Sequence, residues 1–276
     1  MNNKKNITQI VPIVMGLLLL AGMSALKVNA QLLDGINSST NAGIAVGASG
    51  SGVNIQANLD ARLSKIINQG DTAIMARITN LGKLNTRVQE MVNVSDNEKT
   101  NISNEVQTNA NGLSNLKAKI DADIDLKTTT SDYSSIFGSF RIYALVIPQG
   151  YIEASSDRID TIVNMFTTIS TKLQARITAD QSAGKDTATL QASLNDLNAK
   201  IADAKIQAGI AFSGVASLTP DNGNKTVFAS NITALKSARA NIKVATGDLQ
   251  TARQDAKTII QNLYKLDVNA SATVSQ

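Results

Sequence analysis

The chain has 276 residues and a formal charge of +4, and it contains neither cysteine nor histidine. This excludes disulfides, thiolate metal sites, thiol nucleophiles and the lipid-bearing Cys of a bacterial lipoprotein, along with zinc sites and acid/base chemistry that depend on imidazole. Aromatic residues make up 3% of the chain, which leaves little bulk for a thick interior and favours long, thin helices.

Residues 1–30 read as a secretory signal peptide. Lys4 and Lys5 give a basic start, Ile10 to Ala25 an apolar stretch, and Val28 and Ala30 the small residues of a cleavage site. The competing reading is an uncleaved anchor, since the apolar stretch is only slightly shorter than the roughly 20 residues that span a bilayer; Pro12 and Gly16 weaken such a helix. Cleavage removes Lys4, Lys5 and Lys27 and no acidic residue, so the charge falls from +4 to +1. With it goes the main argument for nucleic acid as a partner.

Residues 31–55 are rich in Gly, Ser and Asn and predict a flexible spacer. The run from Gly47 to Gly52 superficially resembles a phosphate loop, but no Lys-Ser/Thr follows it. Apolar residues then recur at steps of three and four, as in a coiled-coil seam, through Leu59, Leu63, Ile66, Gly70, Ile74, Ile78, Leu81, Leu84, Val88 and Met91. This predicts a first helix over 56–93.

Ser95-Asp-Asn-Glu98 offers a capping box for a second helix over 96–122, with a seam of Ile102, Val106, Asn109, Leu113, Leu116 and Ile120. The short join predicts an antiparallel hairpin, and Asn109 should set register by pairing with another polar group. A third helix over 129–181 gathers Tyr133, Phe137, Phe140, Tyr143 and Tyr151, expected to be the thickest part of the core. It should kink at Pro148, whose missing N–H cannot bond to Ala144, before the seam resumes at Ile159, Ile162, Phe166, Ile169, Leu173 and Ile177.

Gly184 and Asp186 mark the next stop and start. A fourth helix over 187–213 carries Leu190, Leu194, Leu197, Ile201, Ala204, Ala208 and Phe212; a loop with Pro220 and Asn222-Gly223 follows. A fifth over 224–264 alternates Ala with Leu or Ile from Ile232 to Leu263, and residues 265–276 read as a disordered tail. The expected fold is all-α: an elongated antiparallel helical bundle or coiled coil of about five long helices, each about 45 to 60 Å long if it holds roughly 30 to 40 residues.

The segment Phe140-Arg-Ile-Tyr-Ala-Leu-Val-Ile-Pro148, with the Ala/Asp/Lys/Leu-rich helices after it, resembles an uncharacterised group of secreted all-helical bacterial proteins. The resemblance runs from about Leu116 to Leu263 and leaves out the spacer and first helix. It implies an exported helical protein and transfers no activity, cofactor or catalytic residue.

One carboxylate cluster has metal-ligand spacing. Asp121, Asp123 and Asp125 alternate, and Asp132 is twelfth counting from Asp121, as in a calcium loop. Position six is Leu126 where such a loop wants Gly, and position twelve is Asp in place of Glu, so the competing reading is a solvated acidic turn that caps the next helix. Arg141, Tyr143 and Tyr151 form a candidate partner or ligand surface. Arg141 either binds an anion there, stacks on Tyr143 or Phe137, or emerges on the outer helix face.

No catalytic set converges. The expected protein is a secreted, extracellular or cell-envelope scaffold, spacer or interaction protein, not an enzyme, without a resident cofactor unless calcium binds. It would act through a protein or envelope partner or by self-association of helices, without nucleic acid and without a stable membrane span once the signal is cut. The alternative is an extracellular binding module that holds a small ligand or cation in the bundle near Pro148.

Overall fold

The computed structural model describes residues 52–273, with side chains described over 56–268. The signal peptide at 1–30, residues 31–51 of the spacer and residues 274–276 of the tail lie outside the described residues.

The protein is an all-α helical bundle, and no strand occurs among the described residues. In chain order the helices are α1 (Gly52–Gln89), α2 (Asp96–Ala122), α3 (Leu126–Gly138), a π-helical turn (Ile142–Val146), α4 (Ile147–Ser182), α5 (Ala188–Ser213) and α6 (Lys225–Thr273). They form two compact units: residues 52–154 with 213–238, and residues 155–212 with 239–273.

In the first unit, α1 and α2 make the expected antiparallel hairpin. Gln89 Nε2 donates to Ser103 Oγ at 2.7 Å near the join, and Lys117 pairs with Asp71 at 2.8 Å towards the other end. The capping box forms as its sequence suggests: Glu98 N donates to Ser95 Oγ at 3.2 Å, and Ser95 N donates to the Glu98 carboxylate at 3.1 Å. The core is aliphatic, built from Ile74, Leu81, Leu84, Val88, Val106, Leu113, Ile120, Ile136, Ile142 and Val146.

The aromatic run does not thicken this core. Tyr133, Phe140 and Tyr143 are only half-buried, while Phe137 and Tyr151 are exposed. Asn109 also departs from expectation: its amide donates to Glu105 O of its own helix at 2.9 Å, which satisfies the group locally without a cross-helix partner.

The expected continuous helix over 129–181 is divided before it reaches Pro148. α3 starts at Leu126, with Asp125 as its cap, and stops at Gly138; Arg141 then adopts the left-handed region, with φ 46° and ψ 32°. In the π-helical turn that follows, Ile147 N–H donates to Ile142 O, five residues back. Pro148 is therefore the second residue of α4, directly after the π-helical turn, so its missing N–H falls where the hydrogen-bond ladder has already shifted from four residues back to five. The interruption thus lies at 139–141, and no kink at Pro148 is seen.

In the second unit most of the periodic seam positions are buried as read: Ile159, Ile162, Phe166, Ile169, Leu173 and Ile177 on α4, Leu190 to Ala208 on α5, and Ile242 to Leu263 on α6; at the end of the α5 seam Ala211 is buried and Phe212 only half-buried. Polar ties run between the helices. Ser156 Oγ donates to Ala208 O at 2.8 Å, Ser170 Oγ to Asn198 Oδ1 at 2.5 Å, and Gln174 and Gln191 exchange amide bonds at 2.9 and 3.0 Å. α4 ends where Gly184 takes φ 78°, a left-handed turn that glycine adopts without strain.

Two ends differ from the sequence reading. α1 starts at Gly52, inside the expected spacer, and α6 runs to Thr273, into the expected disordered tail. Neither stretch contains a proline or an internal glycine to stop the helix. The far end of α6 is also held by Asp267, which pairs with Arg176 and with Lys185.

Candidate functional site

The four carboxylates with calcium-loop spacing do not converge. Asp121 accepts from Lys117 at 2.8 Å on its own helix, and Asp125 caps α3 by accepting from Thr128 N at 2.9 Å; hydrogen bonds from the Thr128 side chain and then from its backbone N–H hold the Asp125 carboxyl below the ordinary range. Asp132 is buried against Lys119, 2.8 Å away. Asp123 ends α2, and its carboxyl is pushed upward by burial and then by Asp132. Helix α3 occupies what would be the second half of the loop, so the backbone cannot wrap an ion as a calcium loop does. Among the described residues no group of three or more acidic side chains is placed to hold a metal ion.

Arg141, Tyr143 and Tyr151 are also dispersed. The left-handed turn at Arg141 directs its guanidinium to Asp221, in the loop before α6, through two bonds of 2.6 and 3.1 Å. Asp221 is buried, also accepts from Gly223 N at 2.9 Å, and is held below the ordinary range chiefly by the Arg141 hydrogen bond. The ring beneath Arg141 is Phe228, 4.9 Å from the guanidinium carbon, and neither Tyr143 nor Phe137. A two-pronged guanidinium–carboxylate pair of this kind fixes a loop and leaves few donors for an outside anion.

The aromatic run surrounds a different arginine. Arg77, 7% exposed on α1, lies between Phe137 and Tyr143 with its guanidinium carbon 4.7 Å from each ring centre, and it donates to Ala73 O at 2.9 Å. Two ring faces partly replace lost hydration, and burial lowers the affinity of this guanidinium for its proton. Tyr143 accepts from Asn80 at 2.8 Å, and Tyr151 lies 5.8 Å from Arg87. The aromatic spacing was legible as a stripe; its purpose of housing an arginine from another helix was not.

A third cluster lies beside Pro148, within the first unit. Leu84 of α1, Ile102, Glu105 and Val106 of α2, Val146 of the π-helical turn, and Gln149, Gly150 and Glu153 of α4 line a small pocket with room for about one water. Gly150 permits the close packing around it, since a Cβ there would stand 2.6 Å from Leu84 Cδ1. Glu153 is 2% exposed and Gln149 is 4% exposed, and Gln149 Oε1 is buried with no hydrogen-bond partner among the described residues.

Burial pushes the Glu153 carboxyl up to about 7; the neighbouring Glu105 adds to the rise, and hydrogen bonding from Gln149 opposes it. Burial also raises Glu105. Three oxygen-bearing side chains therefore line one small, half-open pocket. A signal for them exists in the sequence: carried back from Ile159 in steps of three and four, the α4 seam passes through Ser156, Glu153 and Gln149, which are polar residues on an apolar face.

Among the described residues, no helix is long and apolar enough to cross a membrane. No protein-family model matches the chain, and no curated protein and no solved structure matches it significantly.

Proposed function

We propose that the protein is an exported helical scaffold or interaction protein of the cell surface or envelope, with no catalytic role. The observation that carries this reading is how the charged side chains are used. Arg141 and Asp221 fasten a loop to the π-helical turn, Lys200 and Asp248 join α5 to α6 at 2.8 Å, and Arg176, Asp180, Lys185 and Asp267 tie α4 and the turn after it to α6. Charge spent on fastening helices suits a protein whose product is a shaped surface. The signal-like start and the absence of His and Cys support the same reading.

Cross-linking of intact cells, followed by identification of the attached proteins, tests it. A specific surface or envelope partner, or a second copy of this chain, is expected. A monomer with no surface partner, retained inside the cell, overturns it. Mass measurement of the mature N-terminus should place the first residue at Gln31.

A second reading, an extracellular binding module for a small ligand or cation near Pro148, is favoured by one observation. The half-open pocket lined by Glu105, Gln149 and Glu153 adjoins that residue.

A further inference from the structure

Four other buried carboxylates among the described residues stand against a cation of the protein itself. Asp132 has Lys119, Asp180 has Arg176 and Lys185, Asp221 has Arg141, and Asp248 has Lys200. Glu153 is more deeply buried than any of these, yet no Lys or Arg pairs with it, and its charged neighbour is a second carboxylate, Glu105. Burying an ionised group is expensive unless an opposite charge compensates it. In this cavity the compensating charge is missing.

We propose that Glu105, Gln149 and Glu153 form a binding site for a divalent cation, with calcium the best match, in the cavity beside the π-helical turn. The proposal rests on the binding-module reading and gives that module its ligand class. Every donor is an oxygen, which selects hard cations over zinc or copper. Two carboxylates supply the charge that a divalent ion neutralises, and Gln149 Oε1 is a buried acceptor that lacks a donor.

Size favours calcium over magnesium. Calcium accepts six to eight oxygens in irregular geometry and can take both oxygens of each carboxylate, whereas magnesium prefers to keep several of its waters. The two carboxylates and Gln149 Oε1 offer at most five oxygens, and water entering from the open side of the pocket completes the calcium shell. The local structure arranges the donors: Val146 at the end of the π-helical turn and Gln149 and Glu153 behind it fall at helical spacing, opposite Ile102, Glu105 and Val106 of α2. Asp123 and Asp132 are a weaker candidate because the Lys119 ammonium already pairs with Asp132 and its charge also acts on Asp123.

The competing occupant is a proton. A proton on Glu153 relieves the repulsion with Glu105 when the cavity holds no ion, so calcium must displace it and binding should strengthen as pH rises through neutrality. The test uses the full chain, stripped with EDTA, in calorimetric titration and thermal unfolding with calcium or magnesium at matched ionic strength. One calcium per chain is expected, with a rise in Tm larger than magnesium gives and a smaller rise at pH 6 than at pH 8.

Glu153→Gln and Glu105→Gln should each weaken calcium binding at least tenfold, with the helical circular dichroism retained. Each removes a charge that has no cationic partner, so the fold should tolerate both. Absence of any calcium response in the parent overturns the site. So does a response that survives in both variants, or one that Asp123→Ala abolishes while Glu153→Gln does not. A small organic molecule that raises Tm where no cation does would remove the cation site and leave the binding-module reading; silence towards both would remove both.

Discussion

Residues 155–212 with 239–273 bury a regular seam of Leu, Ile and Ala, with Phe166 its largest fully buried side chain, and their interhelical ion pairs match acid to base. Residues 52–154 with 213–238 use the same helices-and-seams plan but interrupt it. They contain the π-helical turn, the left-handed Arg141, an arginine buried between two rings, and a carboxyl buried beside another carboxyl. Regularity in the first case means each local preference agrees with the packing, which specifies one structure at little cost. The departures in the second gather around one short stretch, and strained or unpaired groups persist only where neighbouring structure holds them.

The largest expected effect lies in the regular unit. Phe166→Ala empties the middle of a close-packed seam and should destabilise the protein by about 3–5 kcal/mol, with little room for the helices to collapse. Urea unfolding should report this as a lower midpoint with an unchanged slope. A loss below about 1 kcal/mol would mean that the seam is looser than its burial implies.

Arg141→Ala tests the irregular unit and comes next. It strands the buried Asp221 without its guanidinium and should cost about 3 kcal/mol, the low end for breaking a buried pair because Arg141 is partly exposed. Asp221→Ala should cost less, since the arginine left behind can turn towards water. Equal losses in the two variants, measured by denaturant unfolding, would contradict this asymmetry.

Glu153→Gln has the opposite sign. The folded-state carboxyl titrates at about 7 and the unfolded one at 4.5, so the folded state binds the extra proton between those values. The parent therefore loses stability as pH rises from 4.5 to 7 and stays at the lower level above it. In cation-free buffer at pH 8 the Gln variant should be more stable by on the order of 3 kcal/mol, and the difference should vanish near pH 4. A variant less stable than the parent at pH 8 would show that the Glu153 charge is already compensated. The substitution would also make the irregular unit more like the regular one.

The bundle was legible because heptad-like spacing is a property of the chain alone. Ile159 to Ile177, Leu190 to Ala208 and Leu235 to Leu263 were assigned to buried faces by step size, and the Ser95–Glu98 cap by its four residues. What stayed hidden depends on residues far apart in sequence. Nothing local to Arg141 points to Asp221, and nothing in the aromatic run points to Arg77. The carboxylate spacing from Asp121 to Asp132 suggested a loop, but Asp125 and the residues after it favour a capped helix, and the helix prevailed. Glu105 looks like any solvated helix residue until the fold places Glu153 beside it.

The π-helical turn is also a phase setting. Each residue added to or removed from an α-helix rotates everything beyond it by about 100°, and Ile142–Val146 holds one residue more than an α-turn closed by the same bond would contain. Deleting a single residue there would leave composition, charge and helix content almost unchanged, yet it would swing Gln149, Gly150 and Glu153 round the helix and away from Leu84 and Glu105. The surplus residue thus determines which side chains meet in the cavity, and with them the chemistry that the space can perform.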